Sequence, residues 1–547
     1  MSTGGAVGPI RIFDVARDGE AVRLEPRGTV APTAAGLASI EATPGFDAVL
    51  LLEEGLAVPA PAVLAGLLAG PCHGWHAGLL LGQAGEPVAW NTICHGRSML
   101  SCDVDPAMAS TSWKVSARAL LVRAEVLERL GGFDGGFDTA AGAALDAGLR
   151  WIQHGALLRH EPDLLVEPPT SPGDRATAAD GIRIVQRRLG SRWARWAVLR
   201  GLRGRTLRVG ELRSALRAAR SGEPVVLATA RGLGDPAASA PAPDADEVRV
   251  SVLVPTVGRY PFVEPLLAQL AGQTRPPDEV IVVDQNPEDA RHDLHAVAGD
   301  LPLRVLHLLP PGQCRARNLG LRASTGTHVL FLDDDDEIPA DLIERHLEVL
   351  ATPEVAVSCG LVDDAESGPA PASLRFRQVG TTFPTNNAMI RRRVLEQAGL
   401  FDPTYDRGSR ADHDLGMRSY LAGNLHVYDP RPQVFHHHAP MGGLRTHGAR
   451  IRTRNNSRST VVERHLRTPT DIYLGLRYHT VEQVREDLAL SAFATLTGSG
   501  SPMHRIARLV VQVALLPSTL VRNRAAYRTG RELLAARPPI PTLDGPT

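Results

Sequence analysis

The chain has 547 residues, 43% hydrophobic and 22% charged, with a formal net charge of −1. That length exceeds one ordinary core and predicts two or more domains, and the near-neutral balance excludes a global field that would gather nucleic acid. Its five cysteines form no CxxC pair and no zinc-like spacing, which fits a reducing compartment. No basic-then-apolar leader and no run of about 18 apolar residues is visible, so a cytoplasmic location is expected.

In chain order, residues 1–171 form a first α/β domain. Residues 172–231 follow as a basic helical segment, with 12 arginines and one acid between Arg183 and Arg220, and Trp193 and Trp196 among them. The Ala/Pro/Asp-rich stretch 232–247 reads as a linker. Beyond it, VRVSVLVPT, DEVIVVDQ, LRVLHLL and THVLFLDD are buried-strand patterns separated by helical stretches such as GQCRARNLGLRAS. Strands alternating with helices of about a dozen residues predict βαβ units and a parallel sheet. Ligands then bind at the carboxyl ends of the strands. Residues 248–445 form this second α/β domain, 446–536 a helical region, and 537–547 a disordered tail.

Four consecutive aspartates, Asp333 to Asp336, close the strand of THVLFLDD. An acidic solvated turn explains them blandly, with Asp336 capping the helix of PADLIERHLEVL. A bound divalent cation explains them chemically, because hard cations take oxygen ligands. Their position at a strand end, beside Thr256 and Asp284 at two others, favours the cation.

The segments VSVLVPTVGR, EVIVVDQ, CRARNLGL, VLFLDDDDEIP and RADHDLGMR occur in the order found in family 2 glycosyltransferases of the GT-A fold, which residues 248–440 resemble. The resemblance implies two GT-A-like, Rossmann-type domains with mostly parallel sheets, and an inverting transfer from a nucleoside-diphosphate sugar to a glycan or lipid-linked acceptor. It implies a divalent manganese or magnesium ion on Asp335 and a histidine, best matched by His436 with His437 and His438 as alternatives. Asp333 falls on the ribose side, with Asp334 and Asp336 as alternative registers. Asp284 falls on the nucleobase, and Arg317 and Asn318 on base and phosphates. Thr256 and Arg259 are further donor-site candidates. Asp412 matches the base that deprotonates the acceptor hydroxyl, with Asp414 as cap or structural partner. FPTNNAMIRRRVLEQAGLFD resembles the segment that lines the acceptor site.

Residues 120–162 laid on 388–430, an offset of 268, are identical at 15 of 43 positions without a gap. This internal repeat lacks the chemistry: Ala144 stands for Asp412, Pro168 for His436, and Gly55 for Asp335. The first domain is therefore expected to be a degenerate, noncatalytic copy, too short at its start for a nucleotide-binding half. Two rivals have different signatures. A sugar-phosphate nucleotidyltransferase needs a Gly-rich basic loop after the first strand, which VPTVGRYPF does not supply. A noncatalytic glycan-binding scaffold would not need Asp335, Asp412 and His436. Finally, the basic stretch 183–220 and the apolar–basic stretch 504–536 could rest on an anionic membrane surface or pack on the domains.

Overall fold

The computed structural model describes residues 8–77, 99–167, 175–220, 233, 248–364, 370–446 and 460–545, apart from 20, 103, 204–206, 465 and 498–500. Apart from Leu233, the expected linker lies outside the described residues, as does Pro168.

The chain builds two mixed sheets. The first contains β1 (Ile10–Asp18), β2 (Ala21–Val30), β3 (Ala48–Glu53), β4 (Gly74–Ala77), β5 (Ser110–Thr111), β6 (Ala119–Arg123) and β7 (Leu158–His160), ordered β2-β1-β3-β6-β4-β7-β5. The second contains β8 (Val250–Thr256), β9 (Glu279–Asp284), β10 (Leu303–His307), β11 (His328–Phe331), β12 (Asp336–Glu337), β13 (Val355–Asp364), β14 (Gln378–Val379), β15 (Ala388–Arg391) and β16 (Leu425–His436). Its order is β10-β9-β8-β11-β15-β13-β16-β12, with β14 also on β16. The fold is α/β as expected, but "mostly parallel" needs correcting. The run β10-β9-β8-β11 is parallel, because helices Tyr260–Ala271 and Gln313–Ala323 return the chain between strands. In the first sheet, among the described residues, only β4 and β7 pair in parallel, because the antiparallel hairpin β1–β2 occupies the place of those βαβ units.

From β3 and β11 onward the two sheets have the same plan. The orders β3-β6-β4-β7-β5 and β11-β15-β13-β16-β14 have the same strand senses throughout. Registers agree too: Ser110 pairs with His160 as Gln378 pairs with Tyr428, each residue displaced by 268. Side-chain supports recur as well, with Arg123/Arg391, Asp134/Asp402 and Asp146/Asp414 at the offset of 268 and their partners at other spacings. Arg123 donates to the carbonyls of Leu68, Gly70 and Cys72, and Arg391 to those of Leu350, Thr352 and Val355. Arg187 of helix Ala178–Leu189 lies against Asp134 and Asp146, as Arg477 of helix Pro469–Tyr478 lies against Asp402 and Asp414.

The halves also meet reciprocally. A side chain added at Gly155 would meet the Arg377 carbonyl oxygen at 3.0 Å, and one at Gly423 the Ala109 carbonyl oxygen at 2.7 Å. Gly155 and Gly423 are offset partners, and so are Ala109 and Arg377. Both glycines have positive φ, +101° and +83°, so backbone conformation and close approach alike exclude a side chain.

Two expectations change in this frame. The tail does not hang free: Leu400 N–H donates to Pro541 O, Arg322 to Thr542 O, and Leu543 joins the second core. Backbone carbonyls in an extended, proline-rich strap supply partners that composition alone does not reveal. In the basic segment, Arg183, Arg187, Arg188 and Arg200 pair with Asp138, Asp134, Asp146 and Glu486, so that part of it is scaffold.

Candidate active site

The carboxyl ends of β8 and β11 lie side by side, which brings Thr256 against the aspartate run. The turn from β8 to its helix is only Val257–Arg259. Asp334, Asp335 and Asp336 are each less than 5% exposed, so this is no solvated turn. Four carboxylates coexist there because cations are interleaved with them. Arg259 Nη1 is 2.9 Å from both Asp334 Oδ1 and Asp335 Oδ1, Arg317 Nη2 is 2.9 Å from Asp333 Oδ1, and His436 Nδ1 is 2.8 Å from Asp336 Oδ1. Thr256 Oγ1 donates to Asp334 Oδ2 at 2.8 Å.

Burial alone would lower the His436 pKa. Asp336, backed by Asp335, instead raises it to about 9, which favours the protonated ring. Burial likewise opposes the charge on Arg259, and Asp334 and Asp335 overcome it, raising its pKa. Burial lifts the Asp334 carboxyl to about 6 against the pull of Arg259. Asp336 does not cap the following helix, whose first residue is Leu342 after Asp341. It forms β12 instead, pairing with His436 of β16, which carries the histidine to the acidic run.

A cavity of about 120 Å³ opens among Thr256, Arg259, Arg317, Asp333, Asp334, Asp335 and His436. His438, an alternative to His436 in the sequence, lines its remainder together with Gln285, Gln313, Ala439, Gly443 and Leu444, which sequence reasoning missed. Gly442 and Gly443 were the available signal: both have positive φ, and a side chain on Gly442 would strike Gly258 O. Arg259 Nε donates to Met441 O and Gly443 N–H to Val257 O, binding this return to the first strand end.

Three candidates sit apart from the cavity lining. Asp284 is fully buried; its Oδ2 accepts from Tyr260 Oη and its Oδ1 from the backbone and side chain of Asn286. Asn318 clamps the Phe401 backbone with both ends of its amide. Asp412 opens helix Ala411–Leu421, its side chain 40% exposed. Gln313, which does line the cavity, donates to Tyr405 O and Gly408 O in the segment before that helix. Against the opposing cost of desolvation, His413 and Arg410 hold the Asp412 carboxyl well below the usual carboxylate range. Asp414, two residues on, is fully buried among Arg418, Arg477 and Tyr478 and is structural.

Among the described residues no group of three His, Cys, Asp or Glu side chains stands ready to hold a metal ion. The donor chemistry at Asp335 nevertheless fits a hard cation. Its buried Oδ1 receives no directed hydrogen bond but faces Arg259 Nη1 at 2.9 Å, a contact that a bound cation would replace, while Oδ2 is fixed by the Ala439 N–H. His436 Nδ1, 3.7 Å from Asp335 Oδ1, is engaged by Asp336, so the histidine fits as a ligand only after giving up its proton.

Residues 251–408 match the family model described as Glycosyl transferase family 2. The chain is 31% identical over 114 residues to the uncharacterized glycosyltransferase EpsJ of Bacillus subtilis (strain 168), covering 20% of this chain and 33% of that protein. It is 29% identical over 195 residues to the succinoglycan biosynthesis protein ExoM of Rhizobium meliloti (strain 1021), covering 32% and 63%. The chain thus spans a third to under two-thirds of these curated relatives' length. Among solved structures, the mannosyltransferase PcManGT from Pyrobaculum calidifontis, in complex with GDP-Man and Mn2+, aligns at 22% identity and TM-score 0.32, covering 54% of this chain and 76% of that one. Residues 251–408 are thus similar to family 2 glycosyltransferases.

Proposed function

We propose that residues 248–445 form an inverting glycosyltransferase that moves a sugar from a nucleoside-diphosphate donor to an acceptor hydroxyl during glycan assembly. One observation carries this reading. The ends of β8 and β11 gather two arginines and three aspartates around a single cavity, where a diphosphate's charge and a cation's charge can both be met. Arg317 and Arg259 bind and orient the donor phosphates. Asp412, partly exposed and ionised at its helix N-terminus, takes the acceptor proton as the hydroxyl attacks the anomeric carbon. A manganese or magnesium ion bound by Asp335, with His436 once neutral, would supply positive charge to the departing diphosphate. The relative named for succinoglycan biosynthesis supports a glycan as product.

Residues 1–171 act as a noncatalytic copy of the same module. The shared strand order, registers and arginine supports favour this reading. So does the pairing of Asp146 with Asp414: the structural carboxylate is present in both halves, while Ala144 replaces Asp412. The reciprocal glycine contacts fit a packing of two like modules around an approximate twofold.

The test is thermal stabilisation of the purified chain by UDP, GDP, ADP and TDP with manganese, since a ligand of the native state raises its melting temperature. One nucleoside diphosphate should stabilise, and Asp335→Asn should remove its metal-dependent part. No stabilisation by any of them would refute a nucleotide-sugar site.

A further inference from the structure

Helix Pro502–Ala535 is built the wrong way round for water. Its inward face is polar: Arg508, Gln512, Thr519 and Asn523 are buried. The carbonyls of Thr460, Val461, Glu463 and Thr497 accept from Arg508 and Gln512. Its outward face is apolar: Met503, Ile506, Val510, Val513, Leu520 and Val521 are 53 to 81% exposed. Spacings of three, four, three and seven residues, with Val521 alongside, put these six on one stripe. A solvent-facing helix normally has the opposite pattern, and an apolar stripe of this extent marks an interaction surface.

Charge identifies what covers it. The helix contains six arginines and one acid, Glu532. Beyond the stripe, Arg524, Tyr527, Arg528 and Arg531 line a shallow groove. Glu532 lies 3.7 Å from Arg528, and no carboxylate among the described residues pairs with Arg522, Arg524 or Arg531. Self-pairing of this helix between two copies would set arginine against arginine with only Glu532 to offset them. An anionic lipid surface offers both an apolar layer for the stripe and phosphates for the groove. No described helix is long and apolar enough to cross a membrane, so contact is in the interfacial plane.

We infer that helix Pro502–Ala535 docks the protein on an anionic phospholipid surface, its Met503–Val521 stripe entering the acyl boundary and Arg524, Arg528 and Arg531 meeting the headgroup phosphates. This docking is independent of the sugar-transfer reading.

Co-sedimentation of the full chain with vesicles of phosphatidylcholine, with and without phosphatidylglycerol, tests it. The protein should bind the mixed vesicles at low salt and leave them as salt rises. Val510→Glu with Val513→Glu should abolish binding at an unchanged melting temperature, because both sites are exposed. Arg524→Gln with Arg531→Gln should weaken partition by more than tenfold, at about fivefold per arginine. Equal binding to phosphatidylcholine alone, or no binding, overturns the inference. So does a dimer, seen by sedimentation velocity, that Val510→Glu with Val513→Glu splits without vesicles having bound.

Discussion

Replacing Arg477 by methionine removes one of the cations that join the C-terminal helices to the helix of Asp412, Arg410 on Asp471 being another. Arg477 Nη1 lies 2.9 Å from Asp402 Oδ2 and 2.8 Å from Asp414 Oδ1, and both carboxylates are fully buried. In the variant Asp414 still has Arg418 and Tyr478. Asp402 keeps the Tyr473 hydroxyl and the Thr404 N–H but has no other cation within ion-pair distance among the described residues. Leaving one buried charge uncompensated costs about 3–5 kcal/mol, and the surviving hydrogen bonds place this case near 3. At about 2–4 °C per kcal/mol for a domain of this size, the melting temperature should drop by about 6–12 °C in differential scanning fluorimetry. Adding Asp402→Asn removes the uncompensated charge and should recover most of the loss. A drop below about 2 °C, or no recovery in the double variant, would refute the account of this cluster.

Asp412→Asn should preserve nucleotide-dependent thermal stabilisation while donor turnover falls by roughly two to four orders of magnitude; an active Asp412→Asn beside a folded, inactive Asp414→Asn would reverse the assignment. Asp335→Ala should lose manganese-dependent donor binding measured by calorimetry, and full activity in the presence of chelator would remove the metal role. A chain with both Asp335→Asn and Asp412→Asn should show no residual transfer in a radiolabelled-sugar assay, whereas persistent turnover would place activity in the first half. Gly423→Ala should lower the melting temperature more than Gly190→Ala does. Both have similar positive φ, but only Gly423 faces a carbonyl across the contact between the halves, so equal shifts would deny that contact.

The place of the candidate site was legible in the chain itself. Strand patterns ending in Thr256 and the aspartate run fix where the acids fall, because parallel strands present their carboxyl ends to one crevice. The offset of 268 likewise showed the repeat, since a shared core demands the same apolar and structural residues at the same spacings. Only tertiary structure decided how the charges are partnered. Arg259, Arg317 and His436 come from a turn, a helix and a distant strand, and no local pattern pairs them with particular aspartates. It also turned Asp284 and Asn318 inward, where a hydroxyl and a backbone segment remote in sequence satisfy them. The same limit explains the C-terminal helix. A sequence shows an apolar stripe and a polar stripe, but which one faces inward depends on what packs there, and here the carbonyls of residues 460–463 draw the polar side in.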